Sequence, residues 1–215
     1  MSLRVPLYIF AKRPEPGHVK TRLLSQYSPE ACCEIARILL RQTLQTCVRH
    51  WPGEVVIAIA NGPPDAFLQS LAAEFSVRLR DQAEGDLGQR MLVALQENEG
   101  PSAIIGADVW ITDPDVLLLA HHQLSLGQGV IGPSDDGGYY LIGFTIPPLE
   151  VFDGIDWGTE QVMAQTEQRL NRARCEVHVL PTQLDIDTPA DLKLAASTSP
   201  TLRAQLHAQG IHVEE

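Results

Sequence analysis

With 215 residues, 44% of them hydrophobic and 20% charged, the chain is long enough to bury a core without staples and has a globular composition. Its formal net charge of −11 speaks against a general nucleic-acid binder, and no apolar run approaches membrane-spanning length. Cys32, Cys33, Cys47 and Cys175 show neither metal-ligand spacing nor a disulfide framework, so reduced thiols in the cytoplasm are expected.

No repeat, low-complexity tract or linker divides the chain, so one domain over 1–215 is expected, with Met1, Ser2 and Leu3 set aside and no signal peptide ahead of the first strand. Val5–Phe10 reads as a buried strand, followed by a Pro/Gly/Lys-rich loop. Ser28-Pro29 supplies an N-cap and a first helical residue. After them Cys32, Ile35, Ala36, Leu39, Leu40, Leu44 and Cys47 fall three and four apart on one helix face. Val55–Ala60 is a second strand, with a helix from about Pro64 to Glu74. Val77–Leu79 makes a short third strand, and Leu87–Gln96 the next helix. The apolar strand Ala103–Gly106 leads to Asp108. A helix then opens at Asp113-Pro114, with His121 and His122 expected on its surface. Gly129–Gly132 and Tyr139–Phe144 are strands separated by Asp135-Asp136-Gly137-Gly138. Thr159–Leu170 is helical, Val177–Leu180 a strand, and Thr188-Pro189 starts the C-terminal helices. Strands alternating with helices imply an α/β, three-layer Rossmann-like sandwich with a mainly parallel central sheet. In such sheets ligands bind beyond the carboxyl ends of the strands, where the polar motifs of this chain fall.

The loop after the first strand carries Lys12, Arg13, Lys20 and Arg22 within eleven residues, beside Gly17. Basic side chains there suit a nucleotide's phosphates, although no Walker Gly-Lys-Ser/Thr run occurs and a solvated loop reads equally well. Asp108 follows a strand directly, and Asp113 is better placed to cap the next helix. Asp108 is therefore free to hold a hard divalent cation. Thr188, Pro189 and Asp191 make a capping box. Asp185 and Asp187 are left over, alternating with Ile186 on an extended stretch, as a second carboxylate source for a metal. Asp135, Asp136, Gly137 and Gly138 form a tight turn whose carboxylates could also meet an acceptor. Gly85-Asp86-Leu87-Gly88-Gln89-Arg90-Met91 opens a helix whose N-terminal amides can hold an anion or a base edge, and Trp157-Gly158-Thr159-Glu160 opens another, though each is more often a simple loop and cap. The seven histidines show no zinc spacing, and no nucleophile elbow is present.

In order and spacing, Phe10-Ala11-Lys12 through Gly17, Lys20-Thr21-Arg22-Leu23, Gly85-Asp86-Leu87-Gly88, Gly106-x-Asp108, Gly132-Pro133 with Asp136-Gly137-Gly138-Tyr139, Trp157 and Asp185-x-Asp187-Thr188-Pro189 resemble the radical-SAM/selenodomain-associated transferases. That family belongs to the nucleotide-diphospho-sugar transferase superfamily with the GT-A fold, whose members include phospholactate guanylyltransferase and the molybdenum-cofactor nucleotidyltransferases. The resemblance spans about Val5 to Leu192. It implies a triphosphate contact for Lys20 and the two metal-holding positions for Asp108 and Asp187. One departure is Val109-Trp110, where the family carries a small residue and proline; a tryptophan there would narrow the site or change the acceptor.

The expectation that follows is nucleotidyl transfer dependent on Mg²⁺ or Mn²⁺. A nucleoside triphosphate would be held by Lys12, Arg13, Gly17, Lys20, Arg22, Asp86 and Gly88. A small phosphorylated or carboxylated acceptor would lie beside Asp135, Asp136, Gly137, Gly138 and Trp157, with Lys20, Asp108 and Asp136 in the chemistry. The rival reading is glycosyl transfer from a nucleotide-sugar with Asp136 as base. A third is a nucleotide-binding module without catalysis. The dense basic loop ranks nucleotidyl transfer first, and neither nucleic acid nor membrane is an expected partner.

Overall fold

The computed structural model describes residues 5–213, so the ends of the expected 1–215 unit, Met1 to Leu3 included, lie outside the described residues. In chain order the strands and helices are β1 (Leu7–Lys12), α1 (Pro29–His50), β2 (Val55–Ala60), α2 (Ala66–Phe75), β3 (Arg78–Asp81), α3 (Leu87–Gln96), β4 (Ser102–Gly106) and β5 (Val109–Trp110). There follow α4 (Asp115–Ser125), β6 (Gly129–Pro133), β7 (Tyr139–Phe144), α5 (Val162–Arg172), β8 (Val177–Val179), β9 (Leu184–Asp185), α6 (Pro189–Thr198) and α7 (Pro200–Ala208). Seven strands form one sheet in the order β3-β2-β1-β4-β7-β6-β8, with β7 running against the rest. This is the mainly parallel α/β sheet expected.

The period-2 alternation of β1 divides the core. Leu7, Ile9 and Ala11 pack with residues of α1, α2 and α4 on one face, while Tyr8 packs with α3 and α5 on the other. The stripe on α1 is wider than one face. Leu40, Leu44 and Cys47 meet the sheet, whereas Cys32, Ile35 and Leu39 are buried against α6 and α7. Cys33 is buried as well, beside Val19 and Ala36.

Several boundaries differ from the sequence reading. The first strand begins two residues late because Pro6 has no N–H to donate, and the ladder opens with Leu7 N–H on the Glu54 carbonyl, 2.8 Å. Helix α2 starts at Ala66 rather than about Pro64, capped by Asp65, and α5 starts at Val162 because Thr159 is spent on a turn with Asp156 and Gln161. A 3-10 turn at Thr21–Ser25 and the β5–β9 pair had no counterpart in the periodicity. His121 is not a surface residue: it lies on the same face as Leu117 and Leu124 and packs edge-on against Trp51. His122 is exposed. Among the described residues no helix is long and apolar enough to cross a membrane.

Candidate functional site

The carboxyl ends of β1 and β4 deliver the basic loop and Asp108 to the same edge of the sheet. The β5–β9 pair then brings the distant Asp185–Asp187 segment alongside. Val109 is in register with Asp185, and Ile186 N–H donates to the Asp108 carbonyl, 3.3 Å. Asp191 completes the placement by accepting from the amides of Asp187 at 3.1 Å and Thr188 at 2.6 Å, so the capping box of α6 also fixes Asp187.

At the centre lies the ammonium of Lys20, whose side chain is only 3% exposed. It contacts Asp108 Oδ2 at 2.7 Å, Asp187 Oδ1 at 3.0 Å and the Ile186 carbonyl at 2.5 Å. Burial alone would lower its pKa, but Asp108 and Asp187 outweigh that and hold it charged, above the usual lysine range. Asp187 is likewise penalised by burial, yet Lys20 and Arg22 bring its pKa down. Arg22 spans the cleft, donating to Asp187 Oδ2 at 3.0 Å and to the Gly158 carbonyl at 3.2 Å. Asp185 feels the charge of Lys20 too weakly to offset its surroundings. Burial, then the charge of Asp108, pushes its carboxyl up to about 7.

Two cavities meet at this centre. The larger, about 410 Å³, is lined by Lys12, His18, Lys20, Arg22, Arg90, Asp108 and Asp187 together with apolar residues. The smaller, about 260 Å³, holds Asp108, Asp136, Asp185, Gly138, Tyr139 and Trp157. Asp108, Phe10, Leu87 and Ala107 belong to both. Asp136 is anchored through Oδ1, which accepts from Ser134 Oγ at 2.5 Å and from the Gly138 amide at 3.0 Å, with Oδ2 uninvolved in those bonds.

The structure therefore gathers Lys12, Lys20, Arg22, Asp108 and Asp187 around the first cavity, and Asp108, Asp136, Gly138 and Trp157 around the second. It does not bring the other candidates to either lining. Arg13 pairs with Glu15, and Gly17 supplies a positive φ of 79° in an exposed turn. Asp86 is spent as the N-cap of α3, accepting from Gln89 N–H at 2.9 Å. Gly88 is buried, where a Cβ would lie 2.7 Å from Phe152 Cβ and 3.0 Å from Trp157. Asp135 accepts from the Asp185 amide at 3.1 Å, a positioning contact, and a Cβ on Gly137 would collide with the Glu160 carbonyl at 2.3 Å. Trp110 does not narrow the site, because it packs with Leu184 and Leu192 beneath α6. An anionic acceptor, expected from the sequence, would meet Asp108, Asp136 and Asp185 in the smaller cavity and no basic side chain among the described residues that line it.

Sequence reasoning missed Gln82, Arg90 and Gln183. Gln82 donates to the Ala58 carbonyl at 2.9 Å and accepts from Arg90 at 2.8 Å, which sets an arginine in the wall of the larger cavity. Gln183, 5% exposed, accepts from Thr112 and pairs with the turn after β6. Neither glutamine belongs to a spaced motif, so no local signal could have found them.

Comparison with known proteins gives a consistent picture. The family DUF2064, described as uncharacterized protein conserved in bacteria, matches residues 43–159. A protein of Desulfovibrio desulfuricans G20, assigned by inference as a nucleotide-diphospho-sugar transferase, is 31% identical over 98% of this chain and 96% of its own, with a TM-score of 0.83. The inositol-1-phosphate CTP transferase of T. maritima shares 13% identity over 97% of this chain and 98% of its own, TM-score 0.53. Glucosyl-3-phosphoglycerate synthase of Mycobacterium tuberculosis shares 10% identity over 97% and 81%, TM-score 0.53. The last two show the fold alone. No functionally curated protein matches the chain.

Proposed function

The chain belongs to the DUF2064 family, and from that footing we propose that it is a single-domain transferase that takes a nucleotide-activated donor in the larger cavity and passes a group to an acceptor in the smaller. The observation that carries this reading is the pair of cavities of opposite charge, one basic and one acidic, meeting at Asp108. Phosphate oxygens find charged donors on one side, and an acceptor finds hydrogen-bond acceptors on the other.

Glycosyl transfer moves ahead of nucleotidyl transfer. The basic loop ranked the triphosphate first, but three of its four cations already have carboxylate partners: Arg13 with Glu15, Lys20 with Asp108 and Asp187, and Arg22 with Asp187. Less positive charge is left for a third phosphate, and a diphospho-sugar needs less. Asp136, with Oδ2 outside its anchoring bonds, is placed to take the proton of an acceptor. Nucleotidyl transfer is the second reading, favoured by Arg90, which adds cationic lining beyond the loop.

A divalent cation fits the residues present. Around Asp185 gather Asp108, Asp136 and Asp187, against Lys20 and Arg22, so four carboxylates face two cations. Among the described residues no cluster of three or more His, Cys, Asp or Glu forms a cage. Mg²⁺ is instead commonly held by one or two carboxylates plus substrate phosphates, and Asp108 with Asp187 would serve so. When bound, the cation would neutralise charge on the diphosphate leaving group. Lys20 and Arg22 orient Asp187, and Lys12 and Arg90 bind phosphate.

Calorimetry with nucleoside triphosphates and the matching diphospho-sugars, in Mg²⁺ and in Mn²⁺, tests the reading. Diphospho-sugar binding at least as tight as triphosphate binding is the expected result. Exclusive triphosphate binding would restore nucleotidyl transfer, and no nucleotide binding at all would remove the donor site.

A further inference from the structure

The smaller cavity bears on the chemistry of the acceptor. Its charged lining is Asp108, Asp136 and Asp185, with no Lys, Arg or His among the described residues that line it. The cations of the cleft lie across Asp108, where Lys20 is fixed by two carboxylates. Arg22 reaches the rim only at the Gly158 carbonyl and is paired with Asp187. The same lining carries flat and apolar side chains, among them Trp157, Tyr139 and Met91.

A phosphate or carboxylate entering this space would lose its hydration beside Asp136, with Asp108 already paired to Lys20 and no basic side chain among the described lining residues to receive it. An uncharged polyhydroxylated molecule fares differently. Its hydroxyl protons meet Asp136 and Asp185, and its C–H faces cover Trp157 and Tyr139. The volume, about 260 Å³, is just below the range of about 300–1,000 Å³ usual for ligand pockets, which suits a single small ring.

We propose that the acceptor is an uncharged polyol, a sugar or glycoside hydroxyl without phosphate or carboxylate. This rests on the reading that the smaller cavity takes the acceptor. In the transfer, the bond between the sugar's anomeric carbon and the diphosphate oxygen breaks, and the diphosphate leaves with the electron pair. A new bond forms from that carbon to the acceptor oxygen, whose proton passes to Asp136 Oδ2.

Saturation-transfer NMR on the full chain tests it, with the larger cavity filled by Mg²⁺ and the tightest-binding nucleoside diphosphate. The probes are matched triples in the gluco, galacto and manno series: the methyl glycoside, the uronate and the sugar 6-phosphate. At least one methyl glycoside should receive saturation, with its uronate and phosphate at least tenfold weaker. Asp136→Asn and Trp157→Ala should each weaken the glycoside about tenfold while nucleotide signals persist. Preference for the anions overturns the proposal, as does silence from every glycoside while nucleotide protons in the same tube still respond. In both cases the donor reading stands. Absence of the nucleotide signal strikes the donor reading itself, and this inference with it.

Discussion

The ammonium of Lys20 is held in left-handed backbone, φ 48°, and shared by Asp108, Asp187 and the Ile186 carbonyl. A non-glycine residue there carries strain of about 1–3 kcal/mol, so the surrounding contacts must over-determine it. Lys20→Ala would leave two carboxylates facing each other without their cation. With both partly exposed, the expected loss of stability is about 1–3 kcal/mol at pH 8, read by urea denaturation. An unchanged midpoint would show that the ion pairs do not hold the cleft together. Asp185 runs the other way. Its folded carboxyl titrates at about 7, whereas an unfolded aspartate titrates near 3.9. Between those values the native state binds the extra proton, so stability falls as pH rises through that window. Asp185→Asn should therefore match the parent near pH 4 and exceed it by up to about 4 kcal/mol at pH 8, measured in EDTA. A variant equal to the parent at both pH values would mean that Asp185 is not raised.

Among the elements, what the sequence made legible was periodicity, and what it hid was pairing too short to have any. Helix α1, strand β2 and the β6–β7 hairpin follow from stripes, alternation and an Asp-Gly-Gly turn. The β5–β9 pair has two residues a side, yet it sets Asp108 beside Asp187 across 79 positions of chain; no window of sequence can show that. Gly88 shows a second way a motif is read, because a glycine expected at the nucleotide also has a packing reason of its own. It lets α3 approach Phe152 and Trp157. Gly88→Ala should cost about 1–3 kcal/mol of stability through overpacking, with nucleotide affinity changed less than threefold. Affinity falling tenfold with stability intact would return Gly88 to the nucleotide site.

Over the whole molecule, the acidic balance of −11 and the four carboxylates gathered around Asp185 would set the terms on which the proposed anionic donor binds. A diphosphate approaching the protein alone meets net repulsion, relieved locally by Lys12, Arg22 and Arg90. A divalent cation alone meets Asp108 and Asp187 already bound to Lys20, so it must compete with an ammonium. Each ligand thus lacks something the other brings: the cation removes repulsion, and the phosphates complete its oxygen shell. Their binding free energies should be coupled, and coupling is reciprocal. Nucleoside diphosphate affinity should rise at least tenfold between EDTA and saturating Mg²⁺, about 1.4 kcal/mol or more. By the same linkage, Mg²⁺ affinity should rise by the same factor when the nucleotide is saturating. Asp108→Asn and Asp187→Asn should each reduce that factor toward one, since either carboxylate alone leaves the cation underligated. The measurement is two calorimetric titrations per protein, with the order of addition reversed. Nucleotide affinity indifferent to Mg²⁺ in the parent would show that Lys20 and the arginines neutralise the donor unaided. The two aspartates would then be orienting Lys20 rather than holding a metal.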